Sequence, residues 1–192
     1  SLGEAADLAA FVCDLAGRQL PLWSISFINP TMADLKNRVP PKLEHGHPVA
    51  EKRHELPRAY VAIVVAPASQ WAAIEPVLRA VATKHRGSLL PQELADQEWA
   101  ERFRILHVKR LGPSLVPAEA SLPVSGLGAA LADLAKKLKQ PFALEGLLCN
   151  GGQACEATLL GFIPHDERRF SYNLACAAPT GHRAASSTGS WA

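Results

Sequence analysis

Twice along this chain the hydrophobic period changes from strand to helix and back to strand, and that repeated order constrains the architecture more than any other feature. Residues 60–66 read Tyr-Val-Ala-Ile-Val-Val-Ala, a continuous run rich in β-branched side chains, which is the pattern of a buried strand. Trp71, Ile74, Leu78 and Val81 then recur at helical spacing, with Ser69 as a candidate cap, Pro76 as a kink or first turn, and Gly87 as the stop. Residues 88–90 offer a short closing strand. The order returns downstream. Residues 115–122 read as a strand, Ser125 caps a helix carrying Leu127, Leu131, Leu134 and Leu138, and residues 142–148 and 157–163 form two strands around Gly151-Gly152. The repeat predicts an α+β fold: a ferredoxin-like, duplicated β-α-β with a mainly antiparallel sheet and helices on one face.

The flanking segments fit that frame. Leu8, Phe11, Val12 and Leu15 sit on one helical face that ends at Gly17, and Trp23, Ile25 and Phe27 then alternate with Ser24 and Ser26 as a strand over 22–28. Asn29-Pro30 ends it. Residues 36–58 hold Pro40, Pro41, Pro48, Pro57 and three histidines without apolar periodicity. They predict a surface loop inserted outside the core. Pro91 opens a further helix through about residue 105, carrying Trp99 and Phe103. Residues 1–176 are thus expected to form a single domain. The stretch 177–192, rich in Ala, Ser, Thr and Gly, reads as a disordered tail.

Composition excludes several classes. With 20 basic against 18 acidic residues the net charge is +2, so there is no basic footprint for nucleic acid and no polybasic membrane patch. No apolar run reaches the ~20 residues that span a bilayer. Cys13, Cys149, Cys155 and Cys176 are too widely spaced for a Cys-x-x-Cys site, which points to reduced thiols and a cytoplasmic protein; a Cys149–Cys155 bridge is the less favoured alternative. The chain starts at Ser1 without an initiator Met and leads straight into a helix, as expected of a piece excised from something longer.

No Walker loop, dinucleotide fingerprint, Gly-x-Ser-x-Gly elbow or His-Glu-x-x-His is present, and no catalytic residue can be named. Glu44, His45, His47, Glu51, His54 and Glu55 are a dense set of donors suited to zinc. They lie on a proline-rich loop with no rigid element to fix their geometry, so no metal is expected. Residues 92–110 gather Arg102, Arg104, His107, Lys109 and Arg110 next to aromatics. An arginine there can offer its planar fork to a carboxylate. On spacing alone, Glu98–Arg102 and Glu101–Arg104 read instead as surface helix pairs.

The order of elements, Trp99-Ala-Glu-Arg102, the return through Val116-Pro-Ala-Glu-Ala-Ser-Leu-Pro123 and the strand with Glu145-Gly146 resemble one family across residues 4–163. This is the C-terminal, substrate-side domain of the FAD-linked oxidases, in the grouping of glycolate oxidase, D-lactate dehydrogenase and vanillyl-alcohol oxidase. The resemblance implies a domain that caps the flavin and shapes the pocket for a small-molecule substrate. FAD itself would be held by a separate N-terminal FAD-binding domain of the same parent protein, with no cofactor-binding residue in this chain. Arg102 would bind a substrate carboxylate, and Trp99 would pack beneath it as core. The sequence departs from the hydroxy-acid members, whose Gly-His-x-Gly-Asp-Gly-Asn-x-His has Leu147 in place of its first histidine here. The alternative is a non-catalytic ferredoxin-like binding or assembly module; a metal hydrolase built on residues 44–55 ranks third. Alone, the chain is expected to be colourless and inactive, with an exposed apolar side that can pair copies as a homo-dimer.

Overall fold

Most of the expected changes of period become changes of element. The protein is described by a computed structural model over residues 1–40, 43–45, 47–48, 53–104, 107–108, 111, 114–138, 141–149 and 154–163. The elements are α1 (Ala5–Gly17), β1 (Ser24–Ile28), α2 (Pro30–Arg38), β2 (Leu43–Glu44), β3 (His47–Pro48), β4 (Val61–Val65), α3 (Trp71–Lys84), α4 (Gln92–Glu101), β5 (Ser114–Pro123), α5 (Leu127–Lys137), β6 (Phe142–Cys149) and β7 (Ala154–Ile163). The tail 177–192 lies outside the described residues.

One sheet has the order β4-β1-β6-β7-β5, with every neighbouring pair antiparallel, and β2-β3 form a separate ribbon. The α+β class and the antiparallel sheet are therefore as expected. β5 and β6 both pair antiparallel with β7, so they run parallel to each other, joined by α5 around the strand between them. That is one split β-α-β unit. The first unit is not closed the same way, because residues 88–90 join no strand.

Helices cover both faces of the sheet, not one. Ile25, Phe27, Ala62, Val64, Leu144 and Leu148 pack with α1, α3 and α5 in one core. Ile28, Val61, Ile63 and Ala143, pointing the other way, pack with α2 and α4 in a second. The reason is in the strands themselves. β4 is apolar at every position, and a strand apolar on both sides needs cover on both.

Helix α2 was hidden in the sequence by its low apolar content. Asn29, expected only to end β1, caps it: its Oδ1 accepts from Met32 N at 2.9 Å, and Pro30 takes the first turn. The same Oδ1 accepts from Leu144 N, and Nδ2 donates to the Phe142 carbonyl. One buried side chain therefore ties α2 to the centre of the sheet.

The insertion 36–58 also departs from expectation, since Val39 and Leu56 are buried in the second core. Their backbone is satisfied by side-chain amides. Asn37 donates to the Leu56 carbonyl and accepts from its N–H, while Gln97 makes the same paired contact with His54. Each amide stands in for a strand neighbour, which lets an extended segment be buried without a ladder.

Candidate functional site

Arg102 stands at the end of α4. Its guanidinium lies 3.8 Å from the Trp99 ring centroid and 4.5 Å from that of Phe103, and Nη1 donates to the Trp99 carbonyl at 2.6 Å. Stacking on two aromatic faces and one hydrogen bond hold the fork in place while leaving it exposed. A planar cation fixed this way is suited to receiving a carboxylate or another oxyanion.

The surroundings differ from the expected arrangement. Trp99 is not core: it is 41% exposed, and Phe103 is 83% exposed. The buried side chains of α4 are Leu94 and Glu98, one turn apart on a single stripe, and residue 99 lies about 100° beyond Glu98 around the helix. Nor do Glu98 and Glu101 pair with Arg102 and Arg104 as the spacing suggested. Glu98 pairs with Lys36 of α2, and Glu101 pairs with Arg53 at 2.7 Å. Tertiary partners displace the local ones because α4 packs against α2 and the segment after β3.

Glu98 belongs to a buried charged group on the second face of the sheet. Lys36 Nζ donates to its Oε2, and its Oε1 is buried with no hydrogen-bond partner among the described residues. Glu145 of β6 is the third member. Burial pushes its carboxyl pKa up, Glu98 adds to that shift, and Lys36 opposes it. Two carboxylates against one ammonium form a place where a proton can be held. In the sequence nothing marks Lys36, and Glu98 reads as a surface residue paired with Arg102. The available signal was Glu98 four residues after Leu94, on the only apolar stripe of α4.

The raised pKa of Glu145 has a signed consequence. A carboxyl that holds its proton to higher pH when folded contributes fully below the ordinary glutamate value of about 4.3. Its contribution is lost as pH rises through the folded value. Glu145→Gln is therefore expected to gain stability relative to the parent as pH is raised from about 4 to 7. Urea unfolding at several pH values checks this; parallel stability curves for the two proteins would refute it.

Among the described residues, the donors of the insertion form no cluster. His45, at φ 51°, and His47 are exposed, and the His54 backbone is occupied by Gln97. Glu51 lies outside the described residues, among which no group of three or more His, Cys, Asp or Glu could hold a metal. Arg104 is exposed, while Lys109, Arg110 and the side chains of Cys149 and Cys155 fall outside the described set. Gly146, which the resemblance placed in a site motif, packs instead against Phe27: a Cβ on it would stand 2.1 Å from Phe27 Cζ.

No described helix is long and apolar enough to cross a membrane. A scan against family models and a search of curated proteins both find no match to this chain.

Proposed function

We propose that this chain is the substrate-side domain of a cytoplasmic FAD-dependent oxidoreductase, a dehydrogenase or oxidase of a small organic acid or alcohol. The observation that carries the reading is Arg102, an exposed guanidinium clamped between Trp99 and Phe103 at the position where the resemblance calls for a carboxylate receptor. The second face of the sheet agrees with it where it runs past its helices toward β5, since Glu119, Ser121 and Leu147 are exposed there. FAD, held by the neighbouring domain, would supply the hydride-accepting chemistry. This chain's part is to grip the substrate anion and orient it.

The reading assigns the cofactor to a neighbouring N-terminal domain. Gly126 and Gly128 flank the start of α5, where a pyrophosphate cradle would have to form. Gly128 lies instead where α5 faces α1, and a Cβ there would make an ordinary 3.4 Å contact with Ala9 Cβ. Titration of the chain with FAD is expected to show no binding tighter than about 1 μM, or ~8 kcal/mol. In the complete gene product, purification should yield a yellow protein. Arg102→Leu should then lower kcat/KM for its acid substrate by about 10- to 100-fold, as loss of a charge-assisted contact of about 1.5–3 kcal/mol implies. Flavin content should not change. A colourless complete product, or an Arg102 variant of unchanged kinetics, sinks the reading.

A second reading, a ferredoxin-like binding or assembly module, is supported by the exposed Trp23, Phe103 and Leu147, the kind of apolar surface that partners cover. A colourless complete gene product would favour it.

A further inference from the structure

Strand β4, Val-Ala-Ile-Val-Val, contributes Ala62 and Val64 to one core and Val61 and Ile63 to the other. That is the composition of a central strand, yet β4 stands at the edge of the sheet. An apolar edge with open backbone groups is a pairing surface. The ladder says which groups are open. Tyr60 exchanges both backbone hydrogen bonds with Leu2, at 2.8 and 2.9 Å. By alternation, the N–H and C=O groups of Ala62 and Val64 point the same way, away from β1. Trp23 N–H donates to the Val65 carbonyl on the opposite side, as the same alternation requires.

Ser1 shows where a neighbour would lie. It donates to the Ser88 carbonyl at 2.6 Å and accepts from Ser88 N at 3.0 Å. Ser1 and Leu2 are thus the end of a strand already seated between residues 60 and 88. Beyond Ser1 the same line continues as a cavity of about 320 Å³ between Val61–Val64 and Leu89–Pro91, with Leu78 of α3 and Leu94 of α4 on its two sides. We propose that this slot is the seat of an extended, apolar polypeptide segment that runs into the amino end of Ser1, antiparallel to β4, as a sixth strand of the sheet. Continuing the register of Leu2 opposite Tyr60, its last residue faces Ala62 and its third from last faces Val64, while the residue between them presents its backbone to Leu90. Side chains pointing to either face meet a core, so both faces of the segment are apolar.

The topology agrees. With this strand in place, α1 links it to β1 around β4, as α5 links β5 to β6 around β7. It also accounts for residues 88–90, which read as a strand and form none: their partner is this segment.

The test compares the chain as it stands with one carrying about six alternating valine and isoleucine residues fused ahead of Ser1, by amide hydrogen exchange. Ala62, Val64 and Leu90 are expected to exchange at least about tenfold more slowly in the fused chain. Unchanged exchange at these amides overturns the proposal. So does protection in the unfused chain that grows with protein concentration, which would make a second copy the occupant. Val64→Pro removes an N–H that faces the slot and breaks no bond to β1, a change an edge strand tolerates. Placed in the fused chain, it should leave circular dichroism unchanged and abolish the added protection; full protection retained would also overturn the proposal.

Discussion

Replacing Gly146 with alanine is expected to destabilise the protein by about 3 kcal/mol, at the upper end of overpacking costs. Gly146 lies opposite Phe27 where β6 pairs with β1, and the Phe27 ring is fully buried over it. An added Cβ would stand 2.1, 2.6 and 2.7 Å from three atoms of that ring. The ring cannot leave, because it is packed in the core beneath α1, α3 and α5, and native interiors have few voids to receive it. The backbone cannot retreat either, since β6 is held on both sides by β1 and β7. Urea unfolding measures the loss. Phe27→Leu in the Gly146→Ala background should recover part of it by opening the space the Cβ needs, whereas Phe27→Leu alone is destabilising. A Gly146→Ala protein within about 0.5 kcal/mol of the parent, the usual range for a surface change, would show that this contact does not exist.

Lys36→Met should cost about 3–5 kcal/mol at neutral pH, the range for removing one partner of a buried ion pair. The ammonium is the hydrogen-bond donor to Glu98, whose other oxygen already has no partner among the described residues, and it is the cation facing Glu145. Without it two carboxylates remain next to each other in the second core. Adding Glu98→Gln removes one charge and is expected to return more than half of the loss, which identifies the cause as charge and not the packing of the lysine stem. The deficit of Lys36→Met should also shrink as pH falls and Glu145, whose carboxyl burial already pushes up, takes up its proton. A deficit independent of pH, or no recovery in the double variant, would assign Lys36 to packing alone.

Much of the fold is legible without coordinates, for a local reason. Alternation around Trp23, Ile25 and Phe27, the helical spacing of Leu8, Phe11, Val12 and Leu15, and the apolar run 61–65 each depend on residues within a few positions of one another. Helix α2 escaped because its stripe is short, with Met32, Ala33 and Leu35 buried between charged residues. Its cap, Asn29, is visible in the sequence but marks there only the end of the strand. The insertion misled because Val39 and Leu56 carry no periodicity. They are core only because Asn37 and Gln97 satisfy the backbone beside them.

The candidate site divides along the same line. Sequence by itself determined that Arg102 stands beside aromatics at the end of a helix, because that placement follows from chain neighbours and helix geometry. It also determined the α+β class and the antiparallel sheet, through the order of periods. Tertiary structure alone decided that Trp99 turns outward and Glu98 inward, that Lys36 and Glu145 meet Glu98 from other elements, and that helices cover both faces of the sheet. Lys36 and Glu98 are 62 residues apart, and no local pattern records such a distance. Which face of a helix is buried, and which charge meets which, follow from how whole elements pack, since burial is set by the total apolar area removed from water and not by any one stripe.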